Sequence, residues 1–375
     1  MKKVLLVVRT LDSGGISRVV INLANKMVEK NIEVHIAVLS KCISYDVRDE
    51  IKLHILSSYT ESNVSKVFRC IDKIIPVTSY MVTSYFYSYK FRKELDKIEN
   101  KYGRFNSIFC HGFGAYIGLT KIEDKRFYFC SHSTNSRMIE MRCRRFKKIA
   151  KKSLKHLMSG KQIIAVSEGI KDDWIKEIKL ENKFIKVIYN VLNKNEIERM
   201  SHEKLPDRVD HDYIICVGRF SKEKRHDILL NAYKIAGLDE KLILLGEGPL
   251  KNKIKKYINE LGLQNKVIME GFVDNPYKWI RKSKALVLSS DYEGLPTVLV
   301  ESLICGTVPI STNCKSGPRE ILTGELSNLL CNVGDSEDLA NKIRYALELN
   351  INLKKEYLDK FDDDLNSMKY ISLIK

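Results

Sequence analysis

The chain contains no apolar run that approaches the ~18–20 residues of a membrane span. Its start, Met1-Lys2-Lys3 followed by Val4–Val8, is too short in its apolar core for a secretory leader and stops at Arg9. It reads instead as a buried first strand. No CxxC pair occurs among the nine cysteines, and nine is an odd number. With the apolar setting of several of them, this points to a reducing cytoplasm and no structural zinc. Cys110, Cys130, Cys216 and Cys331 sit inside apolar runs, as small buried hydrophobes do. The dinucleotide pattern GxGxxG is missing, both after the first strand and at Gly246-Glu247-Gly248-Pro249, which speaks against a dehydrogenase. Repeats and low-complexity tracts are also missing.

What the first half lacks most is acid. The 375 residues carry 64 Lys/Arg and 47 Asp/Glu, a net of +17. Residues 1–205 hold 39 Lys/Arg against 22 Asp/Glu, so 39 − 22 = +17, and residues 206–375 hold 25 of each. The whole excess therefore lies in the first half, which is expected to meet something anionic. Residues 141–161 are the extreme, with nine Lys/Arg and no acid.

Short apolar runs alternate with amphipathic helical stretches along the chain. They are Val4–Val8, Val34–Leu39, Leu53–Leu56, Ser107–Cys110, Phe127–Cys130, Ile163–Val166 and Phe184–Ile188, then Tyr213–Val217, Lys241–Leu245, Lys266–Met269, Ala285–Leu288, Val308–Ser311 and Asn328–Cys331. Alternation of this kind predicts βαβ units and parallel sheets. A polar stretch from about Ser201 to Asp212, with Pro206, separates the two series. The expected organisation is α/β, with two doubly wound Rossmann-like domains facing across a cleft. They would cover 1–205 and 206–350, followed by a helical tail at 351–375 that can cross back to the first domain. Strand C-terminal ends would face the cleft.

Three loops at such strand ends carry chemistry. After the first strand, Gly14 and Gly15 open a helix whose free N–H groups suit an anion; a plain tight turn is the bland alternative. After Tyr213–Val217 comes Gly218-Arg219-Phe220-Ser221-Lys222-Glu223-Lys224, where Arg219 and Lys224 bracket a loop and suit a diphosphate leaving group. After Ala285–Leu288 comes Ser289-Ser290-Asp291-Tyr292-Glu293-Gly294-Leu295-Pro296-Thr297, with Glu301 eight residues past Glu293. Pro296 suits a first helical turn, and carboxylates on either side of a phosphate-binding helix start suit a nucleotide sugar.

Together these stretches resemble the family-4 retaining glycosyltransferases of the GT-B fold. The matching elements are Gly14-Gly15-x-x-Arg18, Gly218-Arg219-Phe220-x-x-Glu223-Lys224, Glu293-Gly294-Leu295-Pro296-Thr297 with Glu301, Gly271-Phe272-x-x-Asn275-Pro276-Tyr277, and Ser316-Gly317-Pro318-Arg319-Glu320. The last two look like forms found in bacterial surface-polysaccharide enzymes. The resemblance implies that Arg219 and Lys224 bind the donor diphosphate and that Glu301 holds the ribose hydroxyls. Glu293 and the backbone of Gly294, Leu295, Pro296 and Thr297 would contact donor sugar and phosphate, with Val273 near the base. Gly14 and Gly15 would close over the phosphates. One departure stands out: Arg225 occupies the position after the lysine where glycine is common.

Of eight histidines, His111 and His132 each end an apolar run in the first half. In the family the histidine after the fifth strand faces the donor sugar, and His132 matches it. His111 and Arg18 are placed on the acceptor side. The resemblance further implies front-face attack by the acceptor with retention, the protein positioning groups and stabilising charge. No cofactor and no metal are expected. Asp210-His211-Asp212 and Asp362-Asp363-Asp364 follow no apolar strand and read as chance matches to a metal-binding Asp-x-Asp.

Within 141–161, Phe146, Ile149, Ala150, Leu154, Leu157 and Met158 follow helical spacing and are expected to pack. Arg144, Arg145, Lys147, Lys148, Lys151 and Lys152 would then form a basic membrane-facing side. Tyr85, Phe86, Tyr87 and Tyr89 either add interfacial anchoring or belong to the core. The expected activity is hexosyl or N-acetylhexosaminyl transfer from a nucleotide sugar, a UDP-sugar by preference, to a lipid-linked or polysaccharide acceptor of a cell-surface glycan. The expected place is the inner face of the plasma membrane. A GT-B sugar-nucleotide epimerase is an alternative that the Glu293–Glu301 ensemble disfavours. A nucleic-acid or polyanion binder is another; it leaves those glutamates and the glycine loops unexplained.

Overall fold

In the computed structural model, the described residues are 1–12, 14–56, 79–142, 145–207, 209, 211–349 and 353–375. They form two compact units, 1–192 with 363–375, and 193–362. All thirteen apolar runs noted above become strands, and every strand pair is parallel.

The first unit holds β1 (Lys3–Val8), β2 (Glu33–Val38), β3 (Lys52–Ile55), β4 (Ser107–His111), β5 (Phe127–Ser131), β6 (Gln162–Ala165) and β7 (Ile185–Val187). Their order is β3-β2-β1-β4-β5-β6-β7. The central strands are fully buried because helices cover both faces, which is why they read as continuous apolar runs. The order reverses between β1 and β4. Val8 pairs with His111 there, and His111 with Cys130 of β5, so the two strand ends carrying histidines lie side by side.

The second unit holds β8 (Tyr213–Val217), β9 (Lys241–Leu245), β10 (Val267–Gly271), β11 (Ala285–Leu288), β12 (Val308–Thr312) and β13 (Leu330–Cys331), in the order β10-β9-β8-β11-β12-β13. Its order reverses between β8 and β11. In doubly wound sheets ligands bind outside the carboxyl ends of the strands at such a reversal.

The chain divides between Leu192 and Asn193, not at 205–206. The stretch expected as a linker begins with the end of a helix, Lys194–Ser201, which packs on the helix Tyr277–Lys282 of the second unit. Asn275 clips them together: its Nδ2 donates to Met200 O (2.8 Å) and to Glu203 Oε2 (2.8 Å). The tail also divides. The 3₁₀ stretch Lys355–Phe361 stays with the second unit, while the helix Asp363–Ile371 belongs to the first. There Asp363 pairs with Lys26 (3.0 Å), Asp364 pairs with Lys30 (3.2 Å), and Tyr370 enters the core against Phe109. The Asp-rich tail motif thus serves packing. In this helix Leu365 and Met368 are about half exposed, and the buried face is Asp363, Asn366, Ser367 and Tyr370.

Candidate functional site

The second unit's site grows from two loops at the β8/β11 reversal. Beyond β8, Gly218–Lys224 turns back; beyond β11, Ser289–Glu293 runs beside it. Four polar contacts join them. Asp291 N donates to Glu223 O (2.8 Å), Ser289 Oγ donates to Lys224 O (2.8 Å) and Arg225 O (3.1 Å), and Lys224 Nζ donates to Glu293 Oε1 (2.6 Å). Ser290 Oγ donates to the same carboxylate oxygen (2.6 Å). Burial alone would lower the Lys224 ammonium, but Glu293 outweighs it and leaves the pKa raised, so the lysine is charged at neutral pH.

Arg225 explains the departure at the position after Lys224. Its backbone is left-handed (φ 48°, ψ 50°), the conformation a glycine adopts without strain. The guanidinium compensates by bridging Asp227 (Nε 3.0 Å, Nη2 2.9 Å) and Asp291 (Nη1 2.9 Å). The residue therefore keeps the glycine geometry while tying the same two loops together.

Two glycines allow the backbone to close around this region. A Cβ on Gly248 would lie 2.5 Å from Phe220 O, and one on Gly317 would lie 2.4 Å from Pro296 Cδ and 2.7 Å from Gly294 O. Ser316 Oγ also donates to Gly294 O (2.8 Å). The glycine pair at 246–248 and the Ser-Gly-Pro motif thus shape the loops from behind.

The helix Thr297–Ile304 starts one residue past Pro296, which stands at the cap instead of in the first turn. No acid lies in that first turn, so its amides suit an anion. Gly294, Leu295 and Pro296 are buried, Thr297 and Val273 half-buried, and Glu301 is only 6% exposed. Arg219 is exposed and makes no ion pair among the described residues. The arrangement therefore offers one exposed cation, one cation held by a carboxylate, and a helix start. Burial pushes the nearby Cys216 and Cys314 thiols up to about 12, so neither is a nucleophile at neutral pH.

In the first unit, His111 Nδ1 and His132 Nε2 are 3.1 Å apart. His111 is buried and His132 half-buried. Burial lowers His132 to about 4 and His111 well below its usual range, so the pair is neutral at pH 7. Gly14 caps the helix Gly15–Glu29, whose first turn carries no acid, and nothing lies within 4 Å of where a Gly15 Cβ would stand. Arg18 stacks its guanidinium 5.7 Å from the Tyr45 ring.

The basic segment needs two corrections. Among its packing residues, Ala150, Leu154, Leu157 and Met158 are buried in the helix Lys147–Met158, but Ile149 is 51% exposed and Phe146 only half-buried. Its charges are also not all uncompensated. Lys151 pairs with Glu140 (3.2 Å) and Glu177 (3.4 Å), and Lys155 with Glu181 (2.9 Å). These acids come from other elements, so the local sequence does not reveal them. Arg145, Lys147, Lys148 and Lys152 remain exposed without an ion pair among the described residues. Arg144 lies outside the described residues.

Sequence reasoning misses Ser289, Ser290 and Asp291 as site residues and sees Arg225 only as a departure. The available signal is their place at a strand end on the sheet reversal.

Residues 13–196 match the family described as Glycosyltransferase Family 4, and residues 198–361 match Glycosyl transferases group 1. An N-acetylgalactosamine-N,N'-diacetylbacillosaminyl-diphospho-undecaprenol 4-alpha-N-acetylgalactosaminyltransferase of Campylobacter jejuni is 29% identical over 369 residues, covering 96% of this chain and 94% of that protein. A lipopolysaccharide 1,6-galactosyltransferase of Escherichia coli is 28% identical over 226 residues, covering 59% and 62%. Among solved structures, Staphylococcus aureus TarM crystallised with fondaparinux, α-GlcNAc-glycerol and UDP superposes with a TM-score of 0.73 at 16% identity, both chains covered in full. Sucrose-phosphate synthase of Thermosynechococcus elongatus gives 0.76 at 16% identity, covering 100% of this chain and 98% of that one. These structural likenesses concern the fold, which is GT-B.

Proposed function

The chain belongs to the GT-B glycosyltransferases, a family 4 half followed by a group 1 half, and from that premise we propose that it moves a hexosyl or N-acetylhexosaminyl group from a UDP-sugar to a lipid-linked acceptor in surface-glycan assembly. The observation that carries this reading is the Lys224–Glu293 pair at the sheet reversal, set beside the acid-free start of the helix Thr297–Ile304.

In this reading Arg219 and Lys224 meet the diphosphate, and the ammonium leaves Glu293 for the phosphate as charge builds on the leaving group. Glu293 is then released to accept from sugar hydroxyls, while Ser290 keeps it oriented. The Gly294, Leu295 and Thr297 amides face the phosphate, with Pro296, which has no N–H, at the helix cap; Glu301 faces the ribose and Val273 the base. His132, neutral and braced by His111, positions the sugar. Gly14 and Gly15 offer amides to an anion, and Arg18 stands on the acceptor side. Attack on the face the diphosphate leaves would give retention, with no metal or cofactor required.

The acceptor reading draws on the named acceptor of the Campylobacter relative, a diphospho-undecaprenol conjugate. No helix among the described residues is long and apolar enough to cross a membrane. Arg145, Lys147, Lys148 and Lys152 would hold the first unit against the inner leaflet, each cation near anionic lipid contributing about 1 kcal/mol.

A binding and hydrolysis screen across UDP-, GDP- and other nucleotide sugars tests the donor. Selective binding and slow hydrolysis of UDP-sugars is the expected result. Binding of another nucleotide class, or of none, overturns it.

A further inference from the structure

The helix Tyr80–Tyr102 is inside out over its first three turns. Its buried residues there are Thr83, Ser84 and Ser88, whereas Val82, Tyr85 and Tyr89 are 64%, 63% and 61% exposed and Phe86 38%. From Phe91 on the polarity is ordinary: Phe91, Leu95 and Ile98 are buried. The four exposed residues stand at i, i+3, i+4 and i+7, so they form one face.

The inward register is held at Ser88, whose Oγ donates to Gly118 O (3.1 Å), and the helix lies against the turn Ile117–Leu119; Thr83 Oγ1 is satisfied within the helix by Ser79 O (3.0 Å). A helix that covered a sheet in the usual way would rotate to bury the aromatics. This one leaves them out and buries hydroxyls, including a Ser84 Oγ with no hydrogen-bond partner among the described residues.

The surroundings are cationic. Lys121 Nζ is 4.6 Å from the Tyr85 ring centre, Lys93 Nζ 4.7 Å from Tyr89 and Lys90 Nζ 5.9 Å from Phe86. Residues 79–93 contain no Asp or Glu. The β3→β4 and β5→β6 connections advance in the same direction along the sheet, so right-handed crossovers put their helices on the same side. The aromatic face therefore shares a side of the first unit with Lys147, Lys148, Ile149 and Lys152.

We propose that Val82, Tyr85, Phe86 and Tyr89 are a membrane-inserting face. They would seat in the headgroup zone of an anionic bilayer while Lys90, Lys93 and Lys121 meet lipid phosphates. Amphipathic aromatics with lysines alongside suit the boundary between hydrocarbon and water. A second copy of the chain across a two-fold axis on this face would bring another acid-free 79–93 stretch against these lysines. This adds an apolar contact to the charge-based docking proposed above, and its test is independent of transfer.

The full chain with Tyr85→Trp is mixed with phosphatidylcholine vesicles with and without phosphatidylglycerol. The native Trp174 and Trp279 are 0% and 2% exposed, so the new tryptophan is the exposed reporter. A blue shift and quenching by brominated lipid on anionic vesicles are expected. Tyr85→Ala with Tyr89→Ala should weaken vesicle binding about tenfold while leaving nucleotide-sugar hydrolysis without vesicles unchanged. Vesicle binding with unchanged emission from the introduced tryptophan would overturn the proposal, leaving docking to the basic helix. So would emission already blue-shifted in buffer, the sign of a face covered by the chain or by a second copy. A shift on RNA but not on vesicles would also overturn it. Failure of Lys147→Gln, Lys148→Gln and Lys152→Gln to reduce binding would count against the basic-helix reading alone.

Discussion

Lys224 Nζ lies 2.6 Å from Glu293 Oε1, joining two loops that leave neighbouring strands at the point where the second sheet reverses its order. The pair is only partly exposed, and Ser290 supplies a second donor to the same carboxylate. Because Lys224 stays charged, it is the group that can change partner when a diphosphate arrives.

Lys224→Ala should therefore lower transfer about 10²–10³-fold, the scale of losing one donor aimed at developing negative charge. Glu293→Ala should lower it strongly as well. Circular dichroism of both variants should match the parent. Near-normal turnover in either would contradict the assignment.

Arg225 holds a left-handed backbone that costs an L-residue about 1–2 kcal/mol, and its guanidinium grips Asp227 and Asp291. Arg225→Gly should consequently be more stable than Arg225→Ala by about 1 kcal/mol in urea unfolding, since both lose the grip and only glycine relieves the backbone. Equal stabilities would show that the backbone carries no strain there.

Gly317 has φ +89°, and a Cβ would press on Pro296 and on the Gly294 carbonyl. Gly317→Ala is expected to cost about 2–3 kcal/mol and to weaken donor binding by displacing the start of the helix Thr297–Ile304. Calorimetric unfolding and nucleotide titration of the same variant measure both effects.

His226 is 3% exposed, packs edge-on against Phe220 at 5.0 Å and has no hydrogen-bond partner for either ring nitrogen among the described residues. Burial, helped by Lys224, lowers it to about 4. An unfolded histidine titrates near about 6.5. Between these values the unfolded state binds the extra proton, so stability is complete above the unfolded value and falls as pH drops toward 4. Urea midpoints across that range should decline on acidification, and His226→Phe should flatten the slope of the second unit. An unchanged slope would count against the burial effect.

Much of the fold is legible in the order of the residues. Strands buried on both faces are runs of apolar residues, and Tyr213–Val217, Lys241–Leu245 and Ala285–Leu288 appear with the same bounds in the fold. The Gly-Arg-Phe and Glu-Gly-Leu-Pro loops are legible because each follows such a run. What escapes depends on distant partners. Lys151 and Lys155 look uncompensated until Glu177 and Glu181 fold onto them. Leu192/Asn193 carries no local break, because the division there is set by Asn275 gripping the helix Lys194–Ser201. The outward turn of Tyr85 and Tyr89 goes with the Ser88 hydroxyl seated on the Gly118 carbonyl, which composition cannot reveal.

Titration of UDP-sugars into the parent chain and into Lys224→Ala tests the central claim most directly. The account predicts saturable binding to the parent and at least about tenfold weaker binding to the variant, in line with loss of a charge-assisted contact to phosphate. Absence of nucleotide-sugar binding in the parent, or equal affinity in the variant, would contradict it.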